Sequence, residues 1–290
     1  MARQPVSKQV KRRRAVAVFL FVVIAAVAVG VAVAAVHRHH EVAAPPPPPP
    51  PPKPFRIVFP EGFTRQQMGL RVKAVAKIAD SEHRGRVRLN EFAYLAATRQ
   101  ARVPCFGKRL QENLEGFLFP ATYQFLTGTT SKQLALDQIQ AFCRNWRKVD
   151  LSYARSKNLT PYDVLTIASM IEREAQVPSE RPLIAAVIYN RLHAHMTLGI
   201  DATLRYGLHI PPTESITQSQ LASSNPYNSR RFLGLPPTPI ANPGLASIRA
   251  AAHPAHVDYL YFVRKPDHRH HFFTASASAF DEYLAAHGYK

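Results

Sequence analysis

Ala15 to Val36 is a run of 22 residues without a charge, set directly behind Arg3, Lys8, Lys11, Arg12, Arg13 and Arg14. As a helix rising about 1.5 Å per residue it spans roughly 33 Å, the thickness of a bilayer core. The run is long for the apolar part of a cleaved leader, and charges and prolines follow it instead of a cleavage pattern. It therefore predicts a single-pass transmembrane helix at 15–36. The basic cluster precedes the span, so residues 1–14 are expected as a cytoplasmic tail and the chain beyond Val36 on the outer side of the plasma membrane.

Pro45 to Pro52 is an unbroken proline run followed by Lys53-Pro54. Such a run favours polyproline II at about 3.1 Å per residue, a semi-rigid spacer of roughly 25 Å. Residues 37–54 read as a proline-rich linker, and Phe55 opens the folded part. More than 230 residues follow, enough for a sizeable core. Of the formal net charge of +18, the tail contributes +6 and residues 37–54 +1, which leaves +11 outside. A basic outer domain suits an anionic surround such as phosphate-bearing wall polymers or lipid headgroups, or is simply a solvated surface. Nothing resembles a nucleic-acid module. Cys105 and Cys143 lack metal-like CxxC spacing, and the sequence leaves open whether they pair.

The outer part alternates strand and helix signals. Phe55–Phe59 is a strand candidate, Pro60-Glu61-Gly62 a turn, and Thr64 a cap for the helix that follows. Leu89–Ala97 reads as a helix, the aromatic Leu114–Phe125 as strand and turn, and Ser131–Trp146 as a helix with Leu134, Ile139, Phe142 and Trp146 inward. Thr160, Pro161 and Asp163 start another helix, and Ser179 is expected to cap the next, with Leu183, Val187, Ile188 and Leu192 inward. His193 to Asp258 reads as one long connection, of the kind that often carries function. Tyr259–Val263 and His271–Thr274 predict paired strands across a turn at Pro266-Asp267, with a closing helix at Ser278–Ala286. The fold class is α+β, with helices around the site.

The helix after Thr160 contains two acids of different character. Glu174 lies three and four residues from Met170, Ile171 and Val177, which puts it in the apolar stripe. A carboxyl held among such side chains tends to keep its proton, as a general acid must. The pattern equally allows a structural ion pair with Arg181 or Arg191. Glu172, among Ala168, Ser169, Ala175 and Gln176, reads as an ordinary solvated or paired acid.

No GxSxG, no SxxK with its companions, no HExxH and no GxxxxGK occurs, which leaves the common hydrolase and nucleotide chemistries unsupported. His268-Arg269-His270-His271 and His37-Arg38-His39-His40 lack acids at ligand spacing, so they read as solvated basic turns. Neither a metal nor a cofactor is expected.

Ala168 to Arg181 (ASMIEREAQVPSER), Asn190-Arg191-Leu192, Met196 to Tyr206 (MTLGIDATLRY), Tyr227-Asn228, Gly234 to Gly244 (GLPPTPIANPG) and Tyr259 to Val263 resemble the endolytic murein transglycosylases, the YceG-like family. Pro60 to Thr64 (PEGFT) and LEGFLFPATYQF are similar to that family's upstream motifs. The resemblance implies a small LysM-like subdomain, here reduced to 55–110, and a catalytic domain at 111–290. It implies single-pass anchoring and cleavage of nascent peptidoglycan glycan strands, with no nucleic acid involved and peptidoglycan synthases as partners.

The resemblance further implies that Glu174, the second acid of an E-x-E, is catalytic and leaves 1,6-anhydro ends. One acid serves both steps, so no second carboxylate is required. Asp201, Thr203, Tyr227 and Asn228 are expected to hold sugars, with Glu180 and Asn190 as further candidates that can equally fix two helices together. The chain departs from the family at Gly199 and Ala202 around the aspartate, at Ser229-Arg230 after Tyr227-Asn228, and at Thr238. A wall-binding scaffold without turnover, and hydrolysis assisted by Asp201, are the competing readings.

Overall fold

The computed structural model describes residues 8–39, 53–82, 86–107 and 110–289, and divides into two compact units, Met1–Pro51 and Pro52–Lys290. In the first, helix α1 runs Lys8–His39. It is longer than the expected 15–36 because the helix continues through the flanking basic residues; Lys8–His37 is long and apolar enough to cross a membrane, with an 18-residue stretch of mean hydropathy 3.1. The proline run lies outside the described residues.

The second unit begins with strand β1 (Phe55–Val58), helix α2 (Arg65–Ser81) and helix α3 (Glu91–Ala97). Thr64 caps α2 as the sequence predicts: its hydroxyl accepts from the Gln67 amide at 3.2 Å, while the Gln67 side chain accepts from the Thr64 amide at 2.9 Å. Two short strands, β2 (Ala101–Arg102) and β3 (Leu110–Gln111), pair with each other before β4 (Thr122–Phe125) returns antiparallel to β1, with Phe55 opposite Phe125 and Val58 opposite Thr122. The β1–α2–α3–β4 frame therefore closes only at Phe125, past the expected boundary at 110.

Helix α4 (Ser131–Trp146) buries Leu134, Ile139, Phe142 and Trp146 as its spacing predicts. A 3-10 turn at Pro104–Phe106 sets Phe106 against Phe117, Phe142 and Trp146, with ring centroids 4.9, 5.7 and 4.8 Å away. Beside this aromatic cluster Cys105 and Cys143 form a disulfide, which settles what the sequence leaves open.

After the short α5 (Ser152–Ser156) comes α6 (Pro161–Glu174), the central helix. Val164, Leu165, Ile167, Met170 and Ile171 are all 0% exposed; each contributes about 1.5–3 kcal/mol by burial. A 3-10 turn at Pro178–Glu180 leads into α7 (Arg181–His193), so Ser179 does not act as the expected cap. The connection from His193 to Asp258 is not a loop throughout. It carries α8 (Asp201–Leu208), α9 (Gln218–Leu221) and α10 (Leu245–Ala252), and α10 packs along α6 and α7. Hairpin β5 (Tyr261–Arg264) and β6 (His271–Thr274) and helix α11 (Ala277–Ala286) end the chain as expected.

Candidate active site

Helix α6 starts where a cap and a proline coincide. The Thr160 hydroxyl accepts from the Asp163 amide at 3.2 Å and Asp163 accepts from the Thr160 amide at 2.8 Å, with Pro161 in the first turn. The helix stops at Glu174, because Ala175 turns to extended backbone (φ −70°, ψ 118°) ahead of Pro178. Val177 is thus not part of the stripe, and Glu174 stands one turn beyond the fully buried Met170 and Ile171.

An acid in the last turn faces the negative end of the helix dipole, which disfavours its charge. Burial among protein atoms, aided by Asp201, raises the proton affinity of Glu174, while Arg264, His271 and the Ala202 backbone N–H oppose that rise. As a residue Glu174 is partly exposed, at the point where α6 ends. Neither Arg181 nor Arg191 pairs with it, and it has no ion pair among the described residues. Arg181 goes to Glu172 (3.6 Å), and Arg191 donates to the carbonyls of Leu260 at 2.6 Å and Leu198 at 2.7 Å.

Glu172 is a paired acid. Its side chain is 6% exposed, and one oxygen accepts from the Gly244 amide at 2.9 Å. The Glu61 carboxylate also lies against Gly244, and a Cβ there would push it aside. Burial first, and then Glu172, raises the proton affinity of Glu61.

The other predicted residues divide by exposure. Asp201 opens α8 and pairs with Arg230 at 2.6 Å, both about half exposed at 46%. Tyr227 is half-buried, with its hydroxyl 2.8 Å from the Thr238 hydroxyl and its ring 5.2 Å from that of Tyr206. Thr203 and Asn228 are both 0% exposed. The Thr203 hydroxyl donates to Ile200 (2.7 Å), and the Asn228 amide donates to the carbonyls of Leu221 and Ser223 at 2.9 and 2.8 Å. Glu180 is buried against His271, and the Asn190 amide donates to Val257 and Tyr259 at 2.8 and 2.9 Å, tying α7 to the approach to β5.

Two buried residues escape the sequence reading. Glu115 accepts the Arg65 amide at 2.8 Å, the Asn242 side-chain amide at 2.7 Å and the Tyr206 hydroxyl at 3.2 Å. Burial pushes its carboxyl up to about 7 against those bonds. Asn242 accepts in turn from the Gly116 and Leu118 amides, both at 2.9 Å, and its own side chain donates to Phe63 at 2.9 Å. Together they join α2, α8 and the segment before α10. The available signal is one acid set in the apolar run Leu114–Phe119, and one amide between Ala241 and Pro243. Among the described residues no three His, Cys, Asp or Glu side chains group to hold a metal ion.

The chain resembles known proteins along most of its length. It is 38% identical over 162 residues to the endolytic murein transglycosylase of Bacillus subtilis (strain 168), covering 55% of this chain and 44% of that protein. It is also 38% identical over 157 residues to the endolytic murein transglycosylase of Streptococcus pneumoniae (strain ATCC BAA-255 / R6), covering 52% of this chain and 28% of that protein. The matched segment thus spans less than half the length of these relatives. A 2.6 Å crystal structure of a yceG-like protein from Listeria monocytogenes shares 31% identity with a TM-score of 0.62, covering 79% of this chain and 75% of that one. A sequence model of the YceG-like family matches residues 41–286, which hold Glu174 and all the motifs from Pro60 to Val263, and the chain belongs to that family.

Proposed function

We propose that the protein is a membrane-anchored lytic transglycosylase that cuts peptidoglycan glycan strands internally. The observation that carries this reading is Glu174. It is a carboxyl at the end of α6 with no ion-pair partner among the described residues and with a raised proton affinity. The names of the relatives in B. subtilis and S. pneumoniae support it.

In the proposed reaction Glu174 gives its proton to the oxygen that links N-acetylmuramic acid C1 to N-acetylglucosamine, and the C1–O bond breaks. The resulting carboxylate takes the proton of the muramic C6 hydroxyl as O6 closes onto C1. The products are a 1,6-anhydromuramoyl end and a free N-acetylglucosamine hydroxyl, and no water is consumed. Glu174 regains its proton in the cycle, so one acid suffices.

Asp201 and Tyr227, partly exposed, are the proposed sugar contacts. Thr203 and Asn228 act from behind, shaping the turns that present them, because their polar groups are enclosed and engaged. Asn190 and Glu180 hold α7 and its approach against the C-terminal hairpin. The β1–α2–α3–β4 frame is the proposed LysM-like part. Helix α1 is the proposed anchor with the N-terminus cytoplasmic, and the Cys105–Cys143 disulfide suits the oxidising outer side. Nascent strands would be the substrate and strand termination the outcome, with the wall synthases close by.

Mass spectrometry of uncrosslinked glycan strands incubated with the protein and with Glu174→Gln tests the reading. Anhydro ends from the wild type alone support it. Reducing ends point to hydrolysis, and binding without cleavage to a scaffold.

A further inference from the structure

Glu180 and His271 form a pair that the proposed reaction leaves without a chemical role. Glu180 sits in the 3-10 turn just after Glu174, and His271 opens β6. The carboxylate accepts the His271 backbone N–H at 2.9 Å and meets ring Nδ1 at 2.7 Å. Their side chains are only 9% and 1% exposed. An enclosed carboxylate is costly unless its oxygens are met, and here one residue meets both. A carboxylate only accepts, so Nδ1 carries the hydrogen and the ring is fixed in orientation.

His271 also has a basic cross-strand neighbour. His271 stands opposite Arg264 in the β5–β6 register, and residues directly opposite project to the same face. Around Glu174, Arg264 on β5, His271 on β6 and the Ala202 amide on α8 favour the carboxylate, whereas burial and Asp201 on α8 favour the acid. Asp201 is itself paired with Arg230. The hairpin is thus the source of the basic side chains that act on Glu174, and Glu180 is what fastens that end of the hairpin to the segment following α6.

We propose that Glu180 is a positioning residue for the chemistry at Glu174, acting through His271 so that the Arg264–His271 end of the hairpin offsets the charge Glu174 acquires on giving up its proton. This rests on Glu174 being the general acid. The test compares initial rates of anhydro-end formation against pH for the full chain, Glu180→Gln and His271→Gln, with Glu174→Gln alongside. With the basic group lost or loosened, Glu174 keeps its proton to higher pH. The alkaline limb of the rate profile then moves up by about one unit for His271→Gln, and less for Glu180→Gln.

A profile that superimposes on wild type in a folded variant, whatever its rate, overturns the proposal, as does a downward shift. If His271→Gln does not fold, Glu180→Gln decides alone, since its amide oxygen still accepts from the backbone N–H. Anhydro ends made by Glu174→Gln would instead sink the underlying reading.

Discussion

The Glu172 carboxylate accepts the Gly244 amide at 2.9 Å and so ties the end of α6 to the start of α10. Two residues further on, Glu174 has no ion pair among the described residues, whereas Glu172 is paired with Arg181, and this difference separates structure from chemistry along one helix.

Glu172→Gln is expected to destabilise without abolishing turnover. Its partner Arg181 is 15% exposed and would lose the opposing charge. Breaking a buried pair from one side costs about 3 kcal/mol. Glu174→Gln should melt near the wild type and lose about a hundredfold or more in rate. Thermal melts beside product mass spectrometry check both. The assignment fails if the phenotypes are exchanged.

Much of this contrast is legible in the sequence, because helix periodicity and capping are local. The start of α6, its buried face and the different surroundings of Glu172 and Glu174 follow from spacing alone. Val177 lies outside the helix because periodicity does not mark where a helix stops, whereas Pro178 does. Helices α8 to α10 were hidden by their lengths of 8, 4 and 8 residues among prolines and glycines, too short for a period to show. Glu115, Asn242 and the Glu180–His271 pair are contacts over 127 and 91 positions, which no local rule reaches. Residue type suggests sugar contacts at Thr203 and Asn228 but does not report burial, and both are 0% exposed.

Glu115 should make stability depend on pH. Its carboxyl is raised from 4.5 to about 7 in the folded protein. A group held above its unfolded value contributes stability that is full below pH 4.5 and is lost as pH rises through about 7. The loss amounts to about 3 kcal/mol. Glu115→Gln, with its amide donating to the Tyr206 hydroxyl, should flatten that slope. Melting curves from pH 5 to 8 in both proteins provide the check; equal slopes would refute it.

The disulfide should carry a measurable part of the stability of the 52–290 unit. Cys105 and Cys143 are 38 positions apart. Closing a loop of that length restricts the unfolded chain by about 4 kcal/mol, the upper end of what is usually measured. The double Cys→Ser variant should melt lower by on the order of 10 °C and show the same pH–rate profile. An unchanged melting temperature in non-reducing buffer would rule out this contribution.

Asp201→Asn should act on Glu174 in the opposite sense to His271→Gln. Asp201 favours the protonated form of Glu174, so its neutralisation lets Glu174 release its proton at lower pH. The alkaline limb of the rate profile then moves down. Stability should change by less than about 1 kcal/mol, because the Asp201–Arg230 pair is 46% exposed on both sides and solvent screens it. Arg230→Ala leaves Asp201 unpaired and should move the limb up instead, more so at low salt. Rate–pH profiles of the two variants at two ionic strengths separate this electrostatic role from a sugar contact. A sugar contact alone would raise KM in Asp201→Asn and leave the limb in place.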